Sequence, residues 1–101
     1  MKLLIITAVA EFDKDVKQIL KQADVKTFTY KEVKGYKDLS WEAIESNWFA
    51  GEIPETESTL FYVFIKKEKV DTVFDLVEEF NKKQETLSKI HAAVLNIEKS
   101  N

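Results

Sequence analysis

Few residues in this chain could do chemistry. There is one histidine, His91, with Lys89 two positions before it; a short step, Lys34-Gly35-Tyr36; and an acidic stretch carrying both tryptophans. An imidazole near an ammonium group can ligate a metal or touch a phosphate. One histidine in a chain without cysteine is a thin basis for a zinc or copper site, so the plainer reading of His91 is structural or surface-exposed, and no metal is assigned. Gly35 could let a ligand approach the backbone; more simply, it ends a strand and lets the chain turn sharply. Between Asp38 and Glu57 stand six acids and no base: Asp38, Glu42, Glu45, Glu52, Glu55 and Glu57. Their oxygens suit calcium or magnesium, but the dense D-x-D-x-D-G spacing is missing, which favours a solvated acidic face. Trp41, Trp48 and Phe49 lie in the same stretch and either anchor a protein partner or pack on a neighbouring subunit. Ser40, Ser46, Ser58, Ser88 and Ser100 have no distinctive context, and any nucleophile–base pair would depend on His91 alone. Glu32 and Glu98 could do acid–base work, but nothing singles them out. No catalytic set emerges, and the chain reads as a binding protein rather than an enzyme.

These residues sit in a chain of 101, the size of one domain, with 45% apolar residues and a net charge of −3. All fifteen basic residues are lysine, so the bidentate guanidinium clamp for phosphate and carboxylate is missing. The most prominent loop is acidic, the wrong sign for nucleic acid. No apolar run approaches the roughly 20 residues of a membrane span. The opening Leu3-Leu4-Ile5-Ile6 is too short for a signal peptide. The expectation is a soluble, cytoplasmic protein with no membrane insertion.

Periodicity supplies the scaffold. An apolar run over Lys2–Ala8 predicts a strand, and Phe12, Val16, Ile19, Leu20 and Ala23 form one face of a helix over Glu11–Ala23. Val25–Lys34, rich in Thr, Phe, Tyr and Val, predicts a second strand closed by Gly35. A long loop, 36–58, follows; Ser40 could cap a short helical turn within it, carrying Trp41, Ile44 and Trp48. Thr59–Ile65 is a third strand, Glu68–Asn81 a helix with Val70, Val73, Phe74, Val77 and Phe80 on one stripe, and Ile90–Ile97 a fourth strand. The order predicts an α+β, ferredoxin-like βαββαβ domain over 1–101, a four-stranded antiparallel sheet with two helices on one face. Strand alternation places Leu3, Ile5, Leu60, Tyr62 and Phe64 on one face and Leu4, Ile6, Phe61, Val63 and Ile65 on the other. Helices bury only one. Leaving the second in water forgoes several kcal/mol at roughly 25 cal/mol per Å2, so an oligomer is expected to cover it.

Two segments carry a family resemblance. Glu32-Val33-Lys34-Gly35-Tyr36 resembles the strand-to-loop junction of the PII regulators, and Val94-Leu95-Asn96-Ile97-Glu98 resembles their last strand, with Asn96 in place of a proline. The chain is similar to this family in element order and lengths over nearly its whole extent. The resemblance implies a homotrimer with sheets packed face to face and adenine nucleotide binding in intersubunit clefts. It implies a loop after the second strand that docks a partner, often a membrane transporter. It places ligand contacts at Lys34, Gly35, Tyr36, Lys89 and His91, and the partner loop at Trp41, Trp48 and Phe49. There are departures. Tyr36 is followed by Lys37, Asp38 and Leu39 rather than the family's glycine-rich continuation. Gln84-Glu85-Thr86-Leu87-Ser88-Lys89 has no glycine where the family keeps a phosphate loop, and the arginine-bearing C-terminal extension is missing. The fold is shared by the CutA metal-tolerance family, which would imply metal binding through His91 or the acids and no nucleotide effect. A dimeric ferredoxin-like monooxygenase would need a pocket between sheet and helices, and the helix stripes are already committed to packing.

Overall fold

The computed structural model describes residues 1–36 and 55–101. Strand β1 runs over Lys2–Val9, and a 3-10 turn over Ala10–Phe12 leads into helix α1, Asp13–Gln22. Strands β2, Thr29–Tyr36, and β3, Glu55–Ile65, precede helix α2, Lys67–Lys83, and strand β4, His91–Asn96. The strands form one sheet in the order β2-β3-β1-β4, every neighbouring pair antiparallel. This is the expected ferredoxin-like α+β arrangement.

The helical stripes behave as their spacing predicts. Val16, Ile19, Leu20 and Ala23 from the first helix and its cap are buried, as are Val70, Val73 and Val77 of α2. They close over Leu4, Ile6, Phe61, Val63 and Ile65, so a single core lies between the helices and one sheet face. Phe12 meets Phe80 edge to face at 4.9 Å, tying the entry of α1 to the end of α2. The Lys17 ammonium lies 4.3 Å above the Tyr30 ring, which holds α1 over the β2 side of the sheet.

The opposite face presents Leu3, Ile5, Leu60, Tyr62, Phe64 and Leu95, and none of these is buried. Phe64 is 64% exposed, Leu95 45% and Tyr62 39%. Toward the other end of this face, Thr7, Val9 and Ser58 are buried.

Most boundaries differ from expectation by a residue or two, and three differ for reasons of backbone geometry. The second strand begins at Thr29, not Val25, because the chain first completes a helix stop. Asp24 takes φ 59°, its N–H donates to the Lys21 carbonyl, and the Val25 N–H donates to the Leu20 carbonyl. That bond pair is a Schellman cap with aspartate in the usual glycine position. The strand also does not end at Gly35. Pairing runs on through Gly35 opposite Thr56 and Tyr36 opposite Glu55, and Gly35 is buried without a positive φ, so it makes no sharp turn. Its partner β3 correspondingly starts at Glu55, four residues before the expected Thr59. The helical turn proposed around Ser40, Trp41, Ile44 and Trp48 lies outside the described residues.

Candidate functional site

The connection from α2 to β4 is built by side chains standing in for backbone. The Asn81 amide grips Ile90 from both sides: its Nδ2 donates to the Ile90 carbonyl at 2.9 Å, and its Oδ1 accepts the Ile90 N–H at 2.8 Å. Gln84 does the same for the loop. Its Nε2 donates to the carbonyls of Thr86 and Ser88, while its Oε1 accepts the Thr86 N–H at 2.7 Å and the Thr86 hydroxyl. The Thr86 Oγ1 in turn accepts the Ser88 N–H at 3.2 Å. A loop without glycine thus satisfies part of its polar backbone by local side-chain bonds.

Beside this loop, between α2 and β4, lies an open cleft of about 480 Å3. Phe74, Val77, Ile90 and Ala92 give it an apolar floor; Glu78, Asn81, Lys82, Lys89 and His91 give it a polar rim. Its size falls in the roughly 300–1,000 Å3 range of small-ligand sites. Lys82 pairs with Glu78 at 3.2 Å one helical turn away, whereas Lys89 has no ion pair among the described residues. His91 is half-buried. Burial first, and the nearby Lys89 charge second, hold its pKa below the ordinary histidine value, which favours the neutral ring.

The structure brings Lys89 and His91 together in this cleft and leaves Lys34, Gly35 and Tyr36 elsewhere. Both groups lie toward the same end of the sheet, but β2 and β4 are its opposite edges. Three strand spacings separate them, about 14 Å. The register Lys31–Leu60–Thr7–His91 shows that Gly35 also sits four residues farther along, roughly a further 13 Å. Within one chain the two groups therefore stand apart. Lys34 and Tyr36 are exposed. Trp41, Trp48 and Phe49 lie outside the described residues. Among the described residues no three His, Asp or Glu side chains gather as metal ligands.

Sequence reasoning missed Glu78, Asn81, Lys82 and Gln84 as parts of this region. Asn81-Lys82-Lys83-Gln84 reads only as a polar helix stop, since nothing in the spacing says that two of these amides would reach back to the backbone.

No protein-family model matches the sequence, and no curated protein does. Solved structures do. CPII, a nitrogen regulatory PII-like protein from Thiomonas intermedia K12 bound to ADP, AMP and bicarbonate, matches with a TM-score of 0.60 at 14% identity, over 95% of this chain and 92% of that one. GlnK of B. subtilis, in complex with ATP, matches with a TM-score of 0.63 at 18% identity, over 93% and 80%. A PII-like signalling protein from Thermus thermophilus matches with a TM-score of 0.59 at 14% identity, over 95% and 85%. The chain has the PII-like fold.

Within this PII-like fold the departure at Gln84–Lys89 takes on structural content. A glycine-rich phosphate loop works by turning free backbone N–H groups toward an anion. Here the N–H groups of Thr86, Ser88 and Ile90 already donate to Gln84, Thr86 and Asn81 side chains. No described helix is long and apolar enough to cross a membrane.

Proposed function

We propose that this chain is a PII-like regulatory protein, not an enzyme, working as a cytoplasmic homotrimer that senses a small ligand between subunits. The observation that carries the reading is the apolar sheet face on which Phe64, Leu95 and Tyr62 are exposed, which a like copy would bury. Assembly through that face would also bring the β2 end of one subunit, with Lys34, Gly35 and Tyr36, toward the Lys89–His91 cleft of a neighbour, completing the two half-sites. The ligand class is an adenine nucleotide, in keeping with the ADP, AMP and ATP in the structures of like fold. The connection 37–54 follows the β2 half-site directly in the chain. Ligand contact at Lys34–Tyr36 would shift that loop between arrangements and so gate docking of a partner, with Trp41, Trp48 and Phe49 as anchors and a membrane transporter as the partner class.

Calorimetric titration of adenine nucleotides into the wild type and into the Lys34→Ala and Lys89→Ala variants tests this. The reading expects binding that each variant weakens, although the two residues lie on opposite edges of the sheet. Nucleotide binding untouched by both substitutions would reject the shared site.

A further inference from the structure

We infer that a basic cleft at the opposite end of the sheet docks the acidic segment 38–42 of a second copy of this chain. The cleft, of about 410 Å3, lies between the entry to β2 and the β3–α2 junction. Lys26, Lys66 and Lys69 stand around it. Among the described residues that line it, Asp24 is the one carboxylate. Its Oδ2 lies 3.3 Å from the Lys69 ammonium and its Oδ1 3.9 Å from that of Lys26, so two of the cations already converge on one carboxylate. Lys66 has no ion pair among the described residues. Three positive charges against one negative leave an excess of two. Phe64 borders the cleft from the sheet face assigned to the trimer. The lysines belong instead to the segment before β2, the residue after β3 and the first turn of α2.

The matching charge is in the same chain. Asp38-Leu39-Ser40-Trp41-Glu42 sets a tryptophan between two acids, and no base follows before β3. An ammonium group attracts both a carboxylate and the face of an indole ring. The segment cannot serve its own cleft. Tyr36 pairs with Glu55 at one end of β3, and the cleft includes Ile65 at the other. Eleven residues of strand hold those ends about 33 Å apart. Glu42 is six residues beyond Tyr36, so even a fully extended chain keeps it within about 22 Å. The donor of the segment is therefore another copy, and the contact runs head to tail. Resting on the reading above, in which Trp41 anchors a partner, this contact occupies Trp41 between copies, and a partner binds by displacing it.

Sedimentation equilibrium of the full-length protein, from the micromolar range up to about 1 mM and at about 20 and 300 mM salt, tests this. A few exposed ion pairs and one ring give a weak contact, with a Kd of about a millimolar, so three-chain particles should associate further only at the upper end. That association should be about tenfold tighter at the lower salt. Two double variants, Lys26→Glu with Lys66→Glu and Asp38→Lys with Glu42→Lys, should each stay at the three-chain mass alone. Mixed together they should associate again, because each then supplies the charge the other lacks. A wild type with no species above three chains at low salt would overturn the inference and leave the trimer reading intact. Association that persists in either double variant, or a mixture that stays apart, would overturn the assigned surfaces. A single-chain mass at every concentration and salt would remove both the inference and the trimer.

Discussion

Asn81 is the residue on which the α2–β4 connection turns, and its removal can be worked through from the structure. The Asn81→Ala substitution deletes two hydrogen bonds, of 2.8 and 2.9 Å, to the backbone of Ile90. The Ile90 side chain is only 2% exposed, so the abandoned N–H and carbonyl sit where water reaches them poorly. Each bond contributes about 1 kcal/mol net, and a buried group left unsatisfied costs about 1–3 kcal/mol. The expected loss is therefore about 2–4 kcal/mol. For a domain of this size that corresponds to a fall in Tm of roughly 10–25 °C. Urea and thermal unfolding at fixed protomer concentration would measure it, because assembly makes stability concentration-dependent. Asn81→Asp keeps an acceptor for the Ile90 N–H but loses the donor to its carbonyl, and should fall between wild type and alanine. Amide exchange at Ile90 should accelerate in step. A loss below about 0.5 kcal/mol for Asn81→Ala would show that the clamp contributes no stability and would refute the reasoning.

Three other outcomes are expected. Thr59 is fully buried and its hydroxyl has no partner among the described residues, so Thr59→Val should stabilise the fold by about 1 kcal/mol in urea unfolding; destabilisation would reveal a bond the hydroxyl does make. Asp24 holds φ 59° in the Schellman cap and receives Lys69 on its carbonyl at 2.6 Å and on its carboxylate at 3.3 Å. Asp24→Gly removes only the exposed carboxylate contacts and should gain about 0.5–1 kcal/mol, whereas a net loss would assign those ion pairs an unexpected weight. The depressed pKa of His91 means that the unfolded chain binds its proton first as pH falls. Its contribution is complete above the unfolded value of about 6.5 and is lost as pH drops through the lower folded value. The wild type should therefore lose stability on acidification more steeply than His91→Gln, and parallel pH profiles would contradict this.

Much of the scaffold was legible because its signals are periodic. Val16, Ile19 and Leu20, and Val70, Val73 and Val77, recur at helical spacing and are the buried residues of the two helices. Alternation in β1 and β3 separated the core face from the face that carries Tyr62 and Phe64. Boundaries set by backbone geometry were not legible. Val25 looks like a strand residue, but its buried side chain and its N–H complete the cap of α1. Glu55, Thr56 and Glu57 look like loop, yet pairing with β2 makes them strand, since a ladder bonds through main chain whatever the side chains are. Gly35 looks like a stop, yet it pairs with Thr56 for the same reason. The site was legible only in part. His91 and Lys89 stood out by type, but the bonds of Asn81 and Gln84 have no period, and the separation of Lys34–Tyr36 from His91 depends on strand order.

The measurement closest to the central claim is the mass of the wild-type protein by sedimentation across the micromolar range. If the exposed face of Phe64, Tyr62 and Leu95 meets like copies around a three-fold axis, the particle should have three times the 11.7 kDa chain mass. The Phe64→Glu variant, which would place a charge in that interface, should then sediment as a single chain. A wild-type particle with the mass of one chain throughout the range would contradict the account, because both the covered face and the joined half-sites depend on a neighbouring copy.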